Sequence, residues 1–116
     1  SVEKAEMASK ARLMSKGLRK LNALNKSTIV IFINQLRQGI STWGPAPKVT
    51  TGGMALPFYA SVRVEVKQDK DRLFAEGKKS EPPIGQVVLF HVSKNKTSAP
   101  YKTGSFKFFY EGARIE

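Results

Sequence analysis

The sequence contains no cysteine, and this absence excludes disulfide bonds and thiolate metal sites. It also contains a single histidine, His91, which argues against a zinc site or a serine–histidine catalytic pair. The apolar neighbours Phe90 and Val92 favour an ordinary strand position for this histidine. No apolar run approaches the roughly 18 residues that a membrane helix needs, and no signal-peptide pattern opens the sequence. We therefore expect a protein without a membrane partner, located in the cytoplasm.

Acidic residues are also scarce, since nine of them face twenty basic ones in 116 residues and leave a net charge of +11. Such an excess favours a polyanionic partner, most often nucleic acid. The basic residues concentrate in residues 1–26 and 94–107. A hydrophobic content of 41% argues against a wholly disordered chain, and the length allows one domain at most.

Residues 3–25 have the pattern of one long helix. Apolar side chains recur along one face at spacings of three and four residues, at Met7, Ala11, Met14, Leu18 and Leu21. A basic stripe, Arg12, Lys16 and Arg19, follows the same spacing on another face. The stripe is equally typical of a solvated helix surface. Because glycine in a helix costs about 1 kcal/mol relative to alanine, we expect close packing or a ligand near Gly17.

Residues 28–34 (TIVIFIN) contain five consecutive apolar residues, which is typical of a parallel strand buried on both faces. Polar Asn34 and Gln35 follow at once. Ligands of open α/β sheets bind beyond the carboxyl ends of the strands, so this polar pair is a candidate site. Residues 36–50 show no helical or strand period and contain Gly39, Gly44 and two prolines, which favours a mobile loop.

A short helix is predicted from Thr51, as its N-cap, to Ala60, with Gly52 and Gly53 at its start. Free backbone N–H groups at such a start are suited to phosphate. Three later segments, residues 61–67, 86–93 and 105–110, read as strands joined by short connections and should pair antiparallel. A polar excursion at residues 68–83 separates the first two.

The predicted class is therefore α/β: a long N-terminal helix, buried parallel strand(s), a glycine-rich loop with a short helix, and then antiparallel strands. We expect one partial domain over residues 1–116. Its helix, strand and loop occupy about residues 1–60, and its antiparallel region occupies about residues 61–116.

Four blocks in this sequence resemble the bacterial and phage RecA recombinase family in order and spacing. They are residues 11–21 (ARLMSKGLRKL), 31–37 (IFINQLR), 50–63 (TTGGMALPFYASVR) and 93–102 (SKNKTSAPYK). The resemblance implies a RecA-like fold and places this chain in the C-terminal part of the ATPase core, without the P-loop half. It also implies a protein of DNA recombination and repair that forms filaments on single-stranded DNA and hydrolyses ATP.

The resemblance implies DNA contacts at Met7, Arg12, Ser15, Arg19, Arg37, Ile40, Trp43, Thr51, Gly52 and Gly53. Ile40 would insert between base triplets, and Trp43 could stack on a base or merely cover the loop. Phe58 matches an aromatic residue at the interface between subunits, although its sequence context alone would also suit a core position.

The same resemblance implies three residues that act on ATP. Gln35 matches the sensor of the γ-phosphate, and Lys94 and Lys96 match a pair that reaches a neighbouring subunit's ATP in trans. Without the resemblance, Gln35 could simply bond the local backbone, and residues 93–97 (SKNKT) would be an ordinary basic turn.

The 116 residues contain no G-x-x-x-x-G-K-[ST] motif, and the family's catalytic glutamate is not matched either. We therefore expect this chain alone to be inactive, with ATP and Mg²⁺ as cofactors of the complete protein only. The predicted strand at residues 28–34 would lack neighbours, so we expect self-association, pairing with the missing N-terminal half of the core, or a marginal fold. Two other functions remain open: a stand-alone basic nucleic-acid-binding module, and a regulatory fragment that caps a filament without ATPase activity.

Overall fold

The computed structural model describes residues 1–38, 43–50 and 52–116, which form two compact units, Ser1–Ala60 and Ser61–Glu116. Unit 1 contains two helices and a two-stranded ribbon. Unit 2 is a four-stranded antiparallel sheet with one 3₁₀ turn. The mixed helical and antiparallel character that the sequence predicted is confirmed.

Unit 1 begins with the predicted long helix, α1 (Val2–Leu24). The Ser1 hydroxyl caps it by accepting a hydrogen bond from the Lys4 backbone N–H at 3.4 Å. The middle of the predicted apolar face is covered, since Leu18 is buried and Ala11 and Met14 are half-buried. Its ends are not, because Met7 and Leu21 are exposed.

Residues 28–34 form neither a helix nor a strand in the structure. The prediction of a buried parallel strand in this segment is therefore wrong. Their apolar side chains are exposed, Ile29 by 87% and Ile33 by 97%. A strand forms only where a neighbour accepts and donates its backbone hydrogen bonds, and the described residues offer this segment no such neighbour.

A short antiparallel ribbon replaces the ends of the loop predicted at residues 36–50. It consists of β1 (Leu36–Gln38) and β2 (Lys48–Thr50), with Arg37 opposite Val49 and Gln38 opposite Lys48. Strands of three residues are too short to show a period, so only the pairing reveals them.

The second helix, α2 (Ala55–Tyr59), is shorter than predicted and begins after Met54 rather than Thr51. Gly52 and Gly53 have φ angles of +89° and +80°, which are incompatible with a right-handed helix. They form a turn that leads into α2 instead of its first residues. Thr51 itself lies outside the described residues.

The sheet of unit 2 has the order β3-β4-β5-β6, with every pair antiparallel. Its strands are β3 (Val62–Leu73), β4 (Gly85–Asn95), β5 (Thr103–Phe109) and β6 (Arg114–Ile115). The predicted strands are thus present and longer than expected, and β3 extends into the predicted polar excursion. Cross-strand pairs such as Val64–Val92 and Val66–Phe90 give the sheet one apolar face.

The described residues bury two hydrophobic side chains, Leu18 in unit 1 and Val88 in unit 2, to below one tenth exposure. No helix among them is both long and apolar enough to cross a membrane. Each unit therefore has a small core among its described residues.

Candidate functional site

The glycine turn of unit 1 lies directly against α1. A Cβ atom added to Gly53 would stand 3.1 Å from the Ala11 Cβ, and one added to Gly52 would stand 3.5 Å from the Met14 Cε. The positive φ angles favour glycine at both positions, and at Gly53 the 3.1 Å approach also leaves little room for a Cβ. The turn therefore carries its backbone N–H groups close to the middle of α1.

A groove of about 530 Å³ lies between the two helices of unit 1. It is lined by Ala11, Arg12, Ser15, Met54, Ala55, Phe58 and Tyr59. Its polar side chains are Arg12, Ser15 and Tyr59, and the first two stand three residues apart and so share one side of α1. A guanidinium, a hydroxyl and nearby backbone N–H groups form a donor set that suits phosphate oxygens.

Two other predicted residues of α1 lie outside this groove. Arg19 is exposed on the same side of the helix as Arg12, seven residues further on. Met7 is 66% exposed, one turn before Ala11. The structure therefore brings Arg12 and Ser15 together at the groove, extends their stripe to Arg19, and leaves Met7 apart from it.

The ribbon β1–β2 carries the remaining predicted contacts of unit 1. Arg37 is exposed on β1, and Trp43 is 92% exposed. Residue Ile40, like Thr51, lies outside the described residues. The register places Lys48 on the opposite face of the ribbon from Arg37. Sequence reasoning missed Lys48, because only the pairing shows that it stands opposite Gln38.

Gln35 is exposed and immediately precedes β1. Its backbone N–H donates a hydrogen bond of 2.8 Å to the Asn34 side-chain oxygen. This bond uses the backbone amide of Gln35 and not its side-chain amide. Phe58 is 70% exposed at the rim of the groove, where its ring meets Tyr59 edge to face at 5.2 Å between centroids.

Lys94 lies near the end of β4 in unit 2, and Lys96 directly follows that strand. Lys94 pairs across the strands with Arg63 of β3, beside an irregularity in the register between Arg63 and Val64. The Lys96 backbone N–H donates to the Ser61 carbonyl at 2.9 Å. Sequence reasoning missed Arg63, although its position at the end of the third family-like block was a usable signal.

The surroundings of Lys94 disfavour its positive charge. Partial burial lowers the pKa of the Lys94 ammonium group, and the positive charges of Lys96 and Arg63 lower this pKa further. Three like charges on one stretch of sheet are a favourable setting for an anion, because the anion relieves their repulsion. No cluster of histidine and carboxylate side chains suited to a metal ion occurs in the described part of the chain.

Comparison with known proteins gives one consistent result. Residues 1–114 match the family described as RecA N-terminal domain. The chain is 49% identical over 108 residues to Protein RecA of Fusobacterium nucleatum, which covers 90% of this chain and 27% of that protein. It is 45% identical over 108 residues to Protein RecA of Rickettsia prowazekii and of Rickettsia bellii, covering 91% of this chain and 30% of each relative. The chain thus spans less than a third of the length of these relatives.

Proposed function

This chain belongs to the RecA family, and on that premise we propose that it serves a RecA-type recombination protein as a single-stranded DNA-binding segment. The observation that carries the proposal is the glycine turn packed on α1 beside Arg12 and Ser15. Backbone N–H groups and the two side chains would bind successive phosphates. Arg19 would extend the contact along the helix, and Arg37 would add one from the ribbon.

Trp43 would supply the contact to a base. Its indole is almost fully exposed, and stacking of a base on such a ring contributes roughly 1–3 kcal/mol. Met7, Ile40 and Thr51 complete the proposed set by their match to the family's DNA-binding loops. A cytoplasmic location accompanies this proposal.

The first prediction concerns the phosphate contacts. Arg12→Ala, Arg19→Ala and Arg37→Ala should each weaken binding of single-stranded DNA about tenfold, the equivalent of about 1.4 kcal/mol for a lost charged hydrogen bond. Each should also flatten the plot of log affinity against log salt by about 0.7. Quenching of the fluorescence of Trp43, the single tryptophan, would report binding.

The matched control for this experiment is Lys10→Ala. Lys10 lies on α1 about 200° around the helix from Arg12, so its loss removes the same charge from another face. Its affinity should stay near that of the parent. If the three arginine variants bound like the parent and like Lys10→Ala, the basic stripe would be solvated surface and the proposal would fail.

A second part of the proposal concerns ATP. Lys94 and Lys96 would contact the phosphates of a nucleotide held by a neighbouring subunit. Gln35 would lie near the γ-phosphate of the nucleotide bound in its own subunit. The cationic donors of β4 suit a polyphosphate, whereas the described residues offer no carboxylate cluster for Mg²⁺. Bound ATP would supply a triphosphate, and the presence of its γ-phosphate would govern DNA binding. This chain would supply cationic donors that neutralise the negative charge of the triphosphate.

The second prediction follows from the missing P-loop motif. Because the sequence contains no G-x-x-x-x-G-K-[ST] motif, the chain should show no tight, Mg²⁺-dependent ATP binding and no ATP hydrolysis above buffer. Equilibrium dialysis with labelled ATP and a phosphate-release assay would measure the two properties. Tight binding that disappears on chelation of Mg²⁺ would contradict the placement of the chain in the C-terminal part of the core.

The third part concerns partners. The exposed apolar run at residues 29–33 and the exposed ring of Phe58 support an interface with another polypeptide. We take this polypeptide to be the N-terminal half of a RecA-type core or a second copy of the chain. In the first case residues 28–34 would become the buried parallel strand that their composition predicts.

A further inference from the structure

The structure places an arginine beside the two lysines of unit 2. We propose that Arg63 is the third cation of a phosphate-binding site formed with Lys94 and Lys96, and that its guanidinium provides the paired donors of that site. The inference rests on the proposed function, which assigns only the two lysines to the polyphosphate. The ligand is the terminal part of a nucleoside triphosphate or another linear polyphosphate.

The pairing of β3 with β4 carries this inference. Arg63 and Lys94 are direct cross-strand partners, and such partners project from the same face of a sheet. Arg63 is also half-buried, so its side chain is more restrained than that of a fully exposed arginine. The site therefore combines one guanidinium and one ammonium group side by side on adjoining strands.

The backbone around these residues is held at both ends of the pair. The Ser93 hydroxyl donates a hydrogen bond of 3.5 Å to the Arg63 carbonyl, and the Lys96 N–H donates to the Ser61 carbonyl. The register shifts next to this pair, between Arg63 and Val64, so the pair lies at the edge of the irregularity. Lys96 follows β4 directly, and its charge acts on Lys94 together with that of Arg63.

Chemistry explains why the third cation should be an arginine. A guanidinium offers two parallel N–H donors that match two oxygens of one phosphate, whereas an ammonium group acts as a point charge. A site of two lysines would attract a polyphosphate without fixing its orientation. Arg63 would add both the orientation and a further positive charge.

The test uses the full 116-residue chain and sodium tripolyphosphate at constant ionic strength. NMR would follow the Arg63 Nε–Hε signal and the Lys94 side-chain signals during the titration. Arg63→Gln should weaken binding about tenfold, and Arg63→Lys should recover part of that loss because it restores the charge but not the paired donors. The control Lys107→Gln removes a cation from β5, opposite Val87, and should bind within twofold of the parent.

The outcomes separate this inference from the proposed function. If Lys94→Gln weakens binding and Arg63→Gln does not, the inference is overturned and the role of the lysines stands. If neither variant weakens binding, this inference and the proposed role of the two lysines both fail. An effect of Arg63→Gln no larger than that of Lys107→Gln would show general charge attraction and would also overturn the inference. If Arg63→Gln disturbs the amide spectrum of β3, the test relies on Arg63→Lys alone. An affinity of Arg63→Lys for tripolyphosphate equal to that of the parent would then overturn the inference.

Discussion

At the scale of single residues, the charge of Lys94 depends on the cations around it. Arg63 is its cross-strand partner, Lys96 follows two residues later, and Glu65 and His91 form the next pair along the same face. Burial and the two neighbouring cations lower the pKa of Lys94, so the folded state binds its proton less tightly than the unfolded state does. The protonated lysine therefore costs stability, and an anion would offset this cost.

This cost has a definite pH dependence. The cost is fully present below the lowered pKa of folded Lys94. The free energy of unfolding should increase as pH rises from that pKa towards the ordinary value of 10.5, because the unfolded state binds more protons in this window. Bound polyphosphate should raise the pKa of Lys94 and should bind less tightly as pH rises through it.

The third prediction tests this coupling. Arg63→Gln should raise the pKa of Lys94, because it removes one of the positive charges that lower it. NMR titration of the Lys94 side-chain carbon next to the ammonium group would measure the pKa in the parent and the variant. Lys107→Gln serves as the control and should leave it unchanged. If the pKa of Lys94 were the same in the parent and in Arg63→Gln, the two side chains would not lie close together. This result would contradict their placement on the same face of the sheet.

At the scale of elements, α1 contains a glycine that the structure does not use for packing. Sequence reasoning expected close packing or a ligand at Gly17, yet among the described residues no atom outside the adjoining turns of α1 lies within 4 Å of the position that a Cβ would take there. The expectation of close packing is therefore wrong. Gly17 is exposed on the helix surface, where its main effect is on the helix itself.

The fourth prediction follows from this open space. Gly17→Ala should raise the free energy of unfolding by about 1 kcal/mol, because alanine has the higher helix propensity and meets no neighbour. Urea denaturation followed by circular dichroism would measure the change. Gly104→Ala is the opposing control, since its Cβ would clash with the ring of Phe90, and it should destabilise unit 2. A destabilised Gly17→Ala would mean that the position is not open.

At the scale of the whole molecule, exposed apolar surface dominates the expected behaviour. Residues 29–33 present five consecutive apolar side chains, of which Ile31 is 81% exposed. Burial of such side chains is worth roughly 1.5–3 kcal/mol each, so water strongly favours their removal into an interface. The chain should therefore associate through this run.

The fifth prediction concerns that association. The parent should sediment with a concentration-dependent coefficient, and Ile31→Asp should reduce association about tenfold or more, because it would bury an unpaired charge. Sedimentation velocity over a hundredfold range of concentration would measure this. Leu13→Asp, which changes a residue of α1 that is 73% exposed, is the control and should associate like the parent. A parent that stays monomeric and rigid throughout would contradict the assignment of the run to an interface.

Local patterns predicted some of this architecture well. The spacing of Ala11, Met14 and Leu18 predicted α1 and its covered face, and the alternation of residues 61–67 predicted the strand that contains Val64. The glycine pair was predicted as part of a phosphate contact, but its left-handed turn was mistaken for the start of a helix. Arg63 and Lys48 were missed, because their importance depends on which residue stands opposite them.

The sequence by itself determined the helix, the antiparallel strands, the basic character and the family, because each is encoded in spacing, composition or motif within a short stretch of chain. Tertiary structure alone decided which residues meet: the glycine turn against Ala11 and Met14, and Arg63 beside Lys94. It also decided that residues 28–34 form no strand here. The physical reason is that hydrogen-bonded pairing and side-chain packing join residues far apart in sequence, and a pattern of one segment carries no information about its partner.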